Sequence, residues 1–279
     1  MKIEELLKLG KKELIENSVQ DGNLIARILL QFILKIDRSE IIRYQEDDVE
    51  EENEIEYKNA IKQIIKGRPL QYITKNQEFM GLNFYVDENV LIPQPDTEIL
   101  VEEVIEIAKK ENKLKILDVC TGSGCIGISL AHYIKEISIT MSDISRNAIE
   151  IAKKNAKANN VIDRSTFIVS DLFENIKEKF DIIVSNPPYI ETDIISTLSK
   201  QVQNEPLMAL DGGKDGLIFY RKLINKAPNL LNDNGYLCME IGYNQKEKVI
   251  ELAKERKCFK NIKSIKDLSG NDRVIICKK

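Results

Sequence analysis

The sequence predicts a doubly wound α/β domain with a mostly parallel sheet, preceded by an α-helical bundle. From residue 95 onward, apolar runs of strand length alternate with helix-like segments, an order that indicates parallel strands joined by helices. Before residue 75, apolar residues instead recur at three- and four-residue steps, as at Ala26, Leu29 and Ile33, which predicts helices with one buried face. The chain has 279 residues, enough for both parts to bury a core.

Three regions are expected: helices over 1–75, a β-hairpin linker over 76–94 and the α/β domain over 95–279. The helical pattern is stopped by Gly67 and Pro69. The hairpin prediction rests on apolar residues in 79–86 and again in 90–92, with turn-forming residues between them.

The predicted elements of the α/β region follow one another in order. The helices are expected at 96–111, 127–134, 146–159, 216–227 and 244–255, and the strands at 115–119, 138–143, 166–170, 181–185, 235–241 and 274–278. In the helical region, residues 46–56 carry eight acidic side chains and no basic one, a run typical of a solvated face or loop. A docking patch for a basic partner is the alternative.

Composition excludes several classes of protein. The net charge of −4 argues against a protein whose main affinity comes from neutralising many phosphates, but it does not exclude a nucleic-acid enzyme with a local basic groove. No direct nucleic-acid partner is expected. No apolar run approaches the roughly 20 residues of a membrane span, and the N-terminus lacks the apolar core of a signal peptide. Five cysteines without a Cys-x-x-Cys pair, together with the single His132, predict a cytoplasmic protein with reduced thiols and no metal site.

A glycine-rich loop follows the strand predicted at 115–119. Gly122, Gly124 and Gly127 have the spacing of a dinucleotide-binding turn, and Asp143 ends the next strand about 20 residues later, where a ribose hydroxyl would be bound. This pattern alone fits NAD as well as S-adenosylmethionine. Asp118 favours the second cofactor, because its carboxylate would repel a pyrophosphate but suits an ammonium or a sulfonium. Asp171 is expected to accept from the adenine amino group.

The segment Asn186-Pro-Pro-Tyr189 follows the strand at 181–185, which should lie beside the first strand of the sheet and next to the glycine loop. Proline lacks an N–H and disfavours a helical residue before it, so the carbonyls of this turn stay free. The side-chain carbonyl of Asn186 and the backbone carbonyl of Pro187 can together accept both hydrogens of an –NH2 group, while Tyr189 offers a flat stacking face. The turn therefore predicts methyl transfer to a conjugated nitrogen, positioned rather than deprotonated by a strong base.

These motifs together resemble the HemK/PrmC family, the protein-glutamine N5-methyltransferases that modify peptide chain release factors. Besides the two motifs above, the resemblance rests on 67–72, 78–81, 90–98, 205–206, 210–213, 215–216 and 270–273. It implies a seven-stranded class I methyltransferase (Rossmann-like) domain that uses S-adenosylmethionine. It also implies an N-terminal helical domain that helps hold the protein substrate, and methylation of the glutamine in the Gly-Gly-Gln loop of class-1 release factors.

The pattern and the resemblance together assign site residues. The expected cofactor-binding residues are Asp118, Cys120, Thr121, Gly122, Ser123, Gly124, Asp143, Asp171, Leu172 and Asn186. The expected catalytic residues are Asn186, Pro187 and Tyr189, and the expected substrate-binding residues are Asn186, Pro187, Pro188 and Tyr189. Two positions depart from the family: Gln94 replaces an arginine, which puts any ion pair of that arginine in doubt, and Leu172 replaces a frequent aromatic residue.

Other functions remain open at this point. The turn would also suit a methyltransferase for a glutamine of a ribosomal protein, or for N6 of adenine in a nucleic acid. A cofactor-binding protein without catalysis is a further alternative, which the presence of Asn186 disfavours. The loop at 212–216 is either a lid over the substrate or a plain turn.

Overall fold

The computed structural model describes residues 1–112 and 114–279. It contains two compact units. The first consists of Met1–Lys75 with Ser199–Asn204, and the second of Asn76–Leu198 with Glu205–Lys279. Among the described residues, no helix combines the length and the apolar character needed to cross a bilayer.

The first unit is helical. Its helices are α1 (Ile3–Glu16), α2 (Gly22–Leu34), α3 (Arg38–Arg43), α4 (Glu51–Ile65), α5 (Leu70–Thr74) and the short α10 (Lys200–Gln203). The fully buried Tyr57 of α4 donates to the Ala26 carbonyl of α2 at 3.1 Å. Gly10 makes room for this ring, because a Cβ there would lie 2.1 Å from the Tyr57 hydroxyl. The predicted helical face of α2 is confirmed, since Ala26, Leu29 and Ile33 are all buried.

The acidic run at 46–56 is a turn followed by the first part of α4. Several of its carboxylates are paired: Glu46 with Lys2 at 2.6 Å, and Glu54 with both Lys58 and the N-terminal amine. Acidic side chains in a first helical turn also face the positive end of the helix dipole. Local pairing therefore accounts for part of this run.

The second unit begins with a hairpin shorter than predicted. β1 (Gln77–Phe79) and β2 (Leu82–Phe84) pair antiparallel across a two-residue turn. Met80 and Gly81, the turn residues, both have positive φ, as a type I′ turn requires. The apolar run at 90–92, which was expected to form part of the hairpin, is not a strand. The Ile92 amide donates to the Glu205 carboxylate at 2.9 Å and is therefore not paired with a neighbouring strand.

A seven-stranded sheet forms the centre of the second unit. Its strands are β3 (Lys115–Val119), β4 (Ser138–Asp143), β5 (Ser165–Val169), β6 (Phe180–Ser185), β7 (Leu231–Glu240), β8 (Asn261–Lys266) and β9 (Asp272–Lys278). The order is β5-β4-β3-β6-β7-β9-β8, with β9 antiparallel to both of its neighbours. This confirms the doubly wound, mostly parallel sheet and places β6 beside β3 as expected.

Helices cover both faces of the sheet, and each face has its own apolar core. They are α6 (Glu98–Glu111), α7 (Cys125–Tyr133), α8 (Arg146–Ala158), α12 (Ile218–Leu230) and α13 (Lys246–Glu255), with the short α9 (Thr192–Ile195) and α11 (Leu207–Leu210) in one connection. The predicted helices and the six predicted strands are confirmed, with shifted ends. The prediction missed β8. This strand lies at the edge of the sheet and is half-exposed, so its apolar residues alternate with lysine and serine and do not form an apolar run.

Candidate active site

The glycine loop connects β3 to α7 through three residues with positive φ: Cys120, Gly122 and Gly124. The Thr121 amide donates to the Ser142 carbonyl of β4 at 3.0 Å, and the Gly124 amide turns back to the Thr121 carbonyl at 2.8 Å. Two features require glycine at position 124. Its φ is +83°, and a Cβ would lie 2.8 Å from the Cδ1 atom of Ile128. The loop is therefore a tight, fully specified turn.

Asp118 holds this loop from behind. Its carboxylate is completely buried, and Oδ2 accepts from the Thr121 hydroxyl at 2.5 Å and from the Gly127 amide at 3.0 Å. The absence of a side chain at Gly127 allows this approach, since a Cβ would lie 3.1 Å from Asp118 Oδ2. Burial raises the pKa of Asp118 to about 7. Within the described residues, Oδ1 is a buried oxygen with no hydrogen-bond partner.

Asp143 ends β4 and joins two loops. Its Oδ2 accepts from the Gly122 amide and its Oδ1 from the Ser145 amide, both at 2.9 Å. Ser145 in turn caps α8 by accepting from the Ala148 amide. Burial raises the pKa of Asp143, opposed by these backbone donors. The carboxylate thus fixes the glycine loop and forms part of the wall of the adjoining cavity.

A cavity of about 430 Å³ lies at the carboxyl ends of β3, β4, β5 and β6. Its wall includes nine of the residues predicted from the sequence: Cys120, Thr121, Gly122, Ser123, Asp143, Asp171, Leu172, Asn186 and Pro188. Asp118 and Gly124 lie outside this wall and support the loop from beneath; Pro187 and Tyr189 do not line it either.

The residues fit S-adenosylmethionine. A volume of about 430 Å³ is in the range of small-ligand sites. Asp143 and Asp171 give the cavity acidic side chains, which suit a cofactor with an ammonium and a sulfonium. Ile126, Ile144 and the buried Leu172 add apolar surface that a ring can cover.

Asn186 sits at the end of β6, between β3 and β7. Its side-chain Nδ2 donates to the Thr97 hydroxyl oxygen at 3.1 Å, and the Thr97 hydroxyl donates to Glu240 Oε2 at 2.6 Å. The Tyr189 hydroxyl donates to the other carboxylate oxygen, Oε1, at 3.2 Å. Glu240 therefore joins both ends of the Asn-Pro-Pro-Tyr turn.

The environment of Glu240 is apolar and closed. Glu240 and Thr97 are each 2% exposed. Burial raises the pKa of Glu240 to about 7, opposed by its bond from Thr97 and by the positive charge of Arg273. Arg273 is itself paired with Asp96 and Asp267, both at 3.0 Å.

Sequence reasoning assigned no role to Thr97 or Glu240. The available signal at Glu240 was a carboxylate at the end of an otherwise apolar strand, in Tyr-Leu-Cys-Met-Glu-Ile. Thr97 lies in one of the motifs that carried the family resemblance, but no periodicity or charge marks its hydroxyl as special.

The loop that was expected to be a lid or a turn packs under Tyr189. Gly212 donates to the Ile190 carbonyl at 2.8 Å, and a Cβ on Gly212 would lie 2.7 Å from Tyr189 Cα. The Gln245 side chain donates to the Tyr189 carbonyl at 2.8 Å and also to the Gly216 carbonyl at 3.3 Å. The structure thus shows this loop as a support for the turn.

Comparison with known proteins identifies the family. The sequence is 43% identical over 283 residues to a release factor glutamine methyltransferase from Clostridium botulinum, covering 100% of both chains. It is 41% identical over 280 residues to the protein of that name from Clostridium acetobutylicum, covering 99% of this chain and 98% of the relative. The chain belongs to the release factor glutamine methyltransferase family.

Further matches agree with this membership. Residues 5–74 match the PrmC N-terminal domain, and residues 94–205 match the methyltransferase small domain. A methyltransferase from Pyrococcus furiosus shares the fold, with a TM-score of 0.51 and 22% identity over 79% of this chain and 98% of the other. The chain is thus a methyltransferase of the class I fold that uses S-adenosylmethionine.

Two positions are explained by the geometry. Gln94, where the family carries arginine, is exposed and donates its side-chain amide to the Ile92 carbonyl at 2.9 Å, a contact that needs no charge. Burial raises the pKa of both Cys120 and Cys125, so neither thiol beside the glycine loop is activated as a thiolate.

Proposed function

We propose that this chain transfers a methyl group from S-adenosylmethionine to the side-chain amide nitrogen of the glutamine in the Gly-Gly-Gln loop of class-1 peptide chain release factors. One observation carries the proposal: Asn186 directs its amide nitrogen to Thr97, which leaves Oδ1 as an acceptor at the cavity wall. The names of the full-length relatives support the release factor as the substrate.

The chemistry follows from the acceptors of the turn. Among the described residues, none donates a hydrogen bond to Asn186 Oδ1 or to the Pro187 carbonyl. Two acceptors side by side can bind both hydrogens of a carboxamide –NH2. Such bonds draw electron density onto the nitrogen and favour a pyramidal geometry, in which its lone pair is less conjugated. The two oxygens thus activate a weak nucleophile without removing its proton beforehand.

S-adenosylmethionine supplies an electrophilic methyl group: the amide nitrogen gains the carbon, the donor sulfur keeps the electron pair of the broken bond, and the nitrogen then loses one proton to solvent. The proposed holding residues are the glycine loop at 120–124, Asp143, Asp171 and Leu172, with Asp118 supporting the loop. The Asn186 and Pro187 oxygens hold the acceptor amide, and the Tyr189 and Pro188 side chains shape the turn around it. Positioning of the two reactants supplies much of the rate.

We also propose a role for each region of the chain. Residues 1–75 form the domain that helps hold the protein substrate, 76–94 form the linker, and 95–279 form the catalytic domain. A substrate from translation termination places the reaction in the cytoplasm.

The experiment is methyl transfer to purified substrates, followed by mass spectrometry of the products. We expect wild-type enzyme to add one methyl group, 14 mass units, to the release factor at the Gly-Gly-Gln glutamine, and to add none to a substrate with that glutamine replaced by alanine. Ribosomal proteins and adenine-containing DNA serve as competing substrates. An unmodified release factor beside a methylated ribosomal protein or DNA would overturn the proposal.

A further inference from the structure

Thr97 and Glu240 form a buried pair next to the catalytic turn, and its hydrogen-bond directions can be worked out from the atoms. A threonine hydroxyl has a single hydrogen to donate. Its 2.6 Å contact with Glu240 Oε2 has the length of a charge-assisted O–H···O⁻ bond. When Glu240 is ionised, the Thr97 hydroxyl therefore donates its hydrogen to Glu240, and the Thr97 oxygen can only accept from Asn186.

The consequence is a fixed orientation of the Asn186 amide. With Thr97 accepting, Asn186 must present Nδ2 to it, as the 3.1 Å contact has it. A half-turn of the amide would set Oδ1 against the lone pairs of the Thr97 oxygen and would point two N–H donors at the substrate nitrogen. In that orientation the side chain could not accept from the substrate –NH2 group.

The ends of three elements create this arrangement. Parallel β6 and β7 are in register at Ser185 and Met239, so the next residues, Asn186 and Glu240, lie side by side where the strands end. Thr97 is the N-cap residue of α6, yet its side chain makes no capping bond to that helix. Its hydroxyl is used for Glu240 and Asn186 instead, which separates its role from ordinary helix capping.

We propose that Thr97 and Glu240 are positioning residues that fix Asn186 with Oδ1 as a hydrogen-bond acceptor for the substrate amide. This inference rests on the proposed function for the identity of that amide. Tyr189 is part of the same arrangement, because its hydroxyl donates to the second oxygen of Glu240. The pair thus links the amide and the ring of the turn to one carboxylate.

Thr97→Val and Thr97→Ser form a matched pair of variants. Valine keeps the shape but removes the hydroxyl, whereas serine keeps the hydroxyl and loses only a methyl group. We expect Thr97→Val to lower kcat roughly tenfold, consistent with one lost orienting hydrogen bond, with KM for the release factor and Kd for S-adenosylmethionine within about twofold of wild type. Thr97→Ser should restore kcat to within about threefold of wild type.

Recovery of kcat in Thr97→Ser distinguishes a positioning role of the Thr97 hydroxyl from a purely structural role of the side chain. A Thr97→Ser variant as slow as Thr97→Val, or a Thr97→Val variant with the wild-type kcat, would overturn the inference. Unfolding temperatures of the two variants provide the control for folding.

A second readout does not depend on methyl transfer. In a 15N spectrum, the side-chain NH2 of Asn186 can be identified by its loss in Asn186→Ala. We expect this group to exchange with solvent more slowly in wild type and Thr97→Ser than in Thr97→Val. Equal exchange in all three proteins would overturn the positioning role, whichever amide or amine the enzyme methylates.

Discussion

The side-chain amide of Gln245 joins Tyr189 to Gly242: its nitrogen donates to the Tyr189 carbonyl at 2.8 Å, and its oxygen accepts from the Gly242 amide at 2.9 Å. Gln245 is only 5% exposed, so these bonds have no competition from bulk water. One side chain thereby connects the Asn-Pro-Pro-Tyr turn after β6 to the loop after β7.

Replacing Gln245 tests this connection. Gln245→Leu keeps the volume but leaves the Tyr189 carbonyl and the Gly242 amide without this partner. Because unsatisfied buried polar groups cost about 1–3 kcal/mol, we expect a comparable loss in the free energy of unfolding. Urea denaturation measures this loss, and Gln20→Leu, at an exposed position, serves as the control. A stability equal to that of wild type would show that Gln245 holds nothing in place.

Asn186→Ala tests the acceptor. It removes Oδ1 and leaves Pro187 as the single acceptor of the turn, so we expect kcat to fall by at least about tenfold, the equivalent of roughly 1–3 kcal/mol. Circular dichroism and cofactor Kd serve as controls for folding and for the first substrate. Near-normal turnover would rule out the acceptor role.

Asp143 is expected to contribute to cofactor affinity. Asp143→Ala removes the acceptor for the Gly122 and Ser145 amides and one carboxylate of the cavity wall. We expect Kd for S-adenosylmethionine to rise about tenfold or more by calorimetry, the equivalent of roughly 1.4 kcal/mol or more. Asp143→Asn retains one acceptor oxygen, so its Kd for S-adenosylmethionine should lie between those of wild type and Asp143→Ala. An unchanged Kd in the alanine variant would reassign this carboxylate to a purely structural role.

Activity should depend on the ionisation of Glu240. Its pKa is raised to about 7 by burial, and the groups that face it are Thr97, Tyr189, Arg273 and Asp96. As the pH falls through 7, Glu240 gains a proton and can donate to Thr97, which no longer has to accept from Asn186. We therefore expect kcat to decrease on the acidic side of this pKa.

Glu240→Gln separates this effect from other titrations. The amide does not titrate, so the decrease in kcat assigned to Glu240 should be absent from the pH profile of the variant. The wild-type and variant profiles are compared between pH 5.5 and 8.5, about 1.5 units on each side of the pKa. Superimposable profiles would exclude Glu240 as the group responsible.

Asp118 gives a prediction for stability. Its pKa in the folded protein, about 7, lies above the ordinary value of 3.8, so the folded state holds the proton more tightly than the unfolded state. The contribution of this group to stability is therefore greatest below pH 3.8 and is lost as the pH rises through 7. A shift of about three units sets an upper bound of roughly 4 kcal/mol.

Asp118→Asn removes this titration and keeps one oxygen to accept from Thr121 and Gly127. In the cofactor-free enzyme, we expect its free energy of unfolding to decline less between pH 5 and pH 8 than that of wild type, by roughly 1–4 kcal/mol. Urea denaturation at the two pH values measures this decline. The same decline in the free energy of unfolding for the variant and for wild type would contradict the buried-carboxylate interpretation.

The order of the elements and the place of the turn could be predicted from local pattern. Parallel strands are buried on both faces and are therefore apolar, which makes segments such as 115–119 and 181–185 recognisable, and the glycine spacing marks the loop between them. The topology rule for doubly wound sheets then brings Asn186 to that loop. Edge strand β8 escaped this reasoning, because a half-exposed strand need not be apolar.

The sequence by itself predicted the fold class, the acidic and glycine residues around the cavity at the strand ends, and the two acceptors proposed for the Asn-Pro-Pro-Tyr turn. The tertiary structure alone decided which way the Asn186 amide faces. That direction depends on Thr97 and Glu240, which are 89 residues before and 54 residues after Asn186 in the chain. The direction of a hydrogen bond depends on which groups folding places within about 3 Å, and local sequence carries no record of contacts between such distant positions.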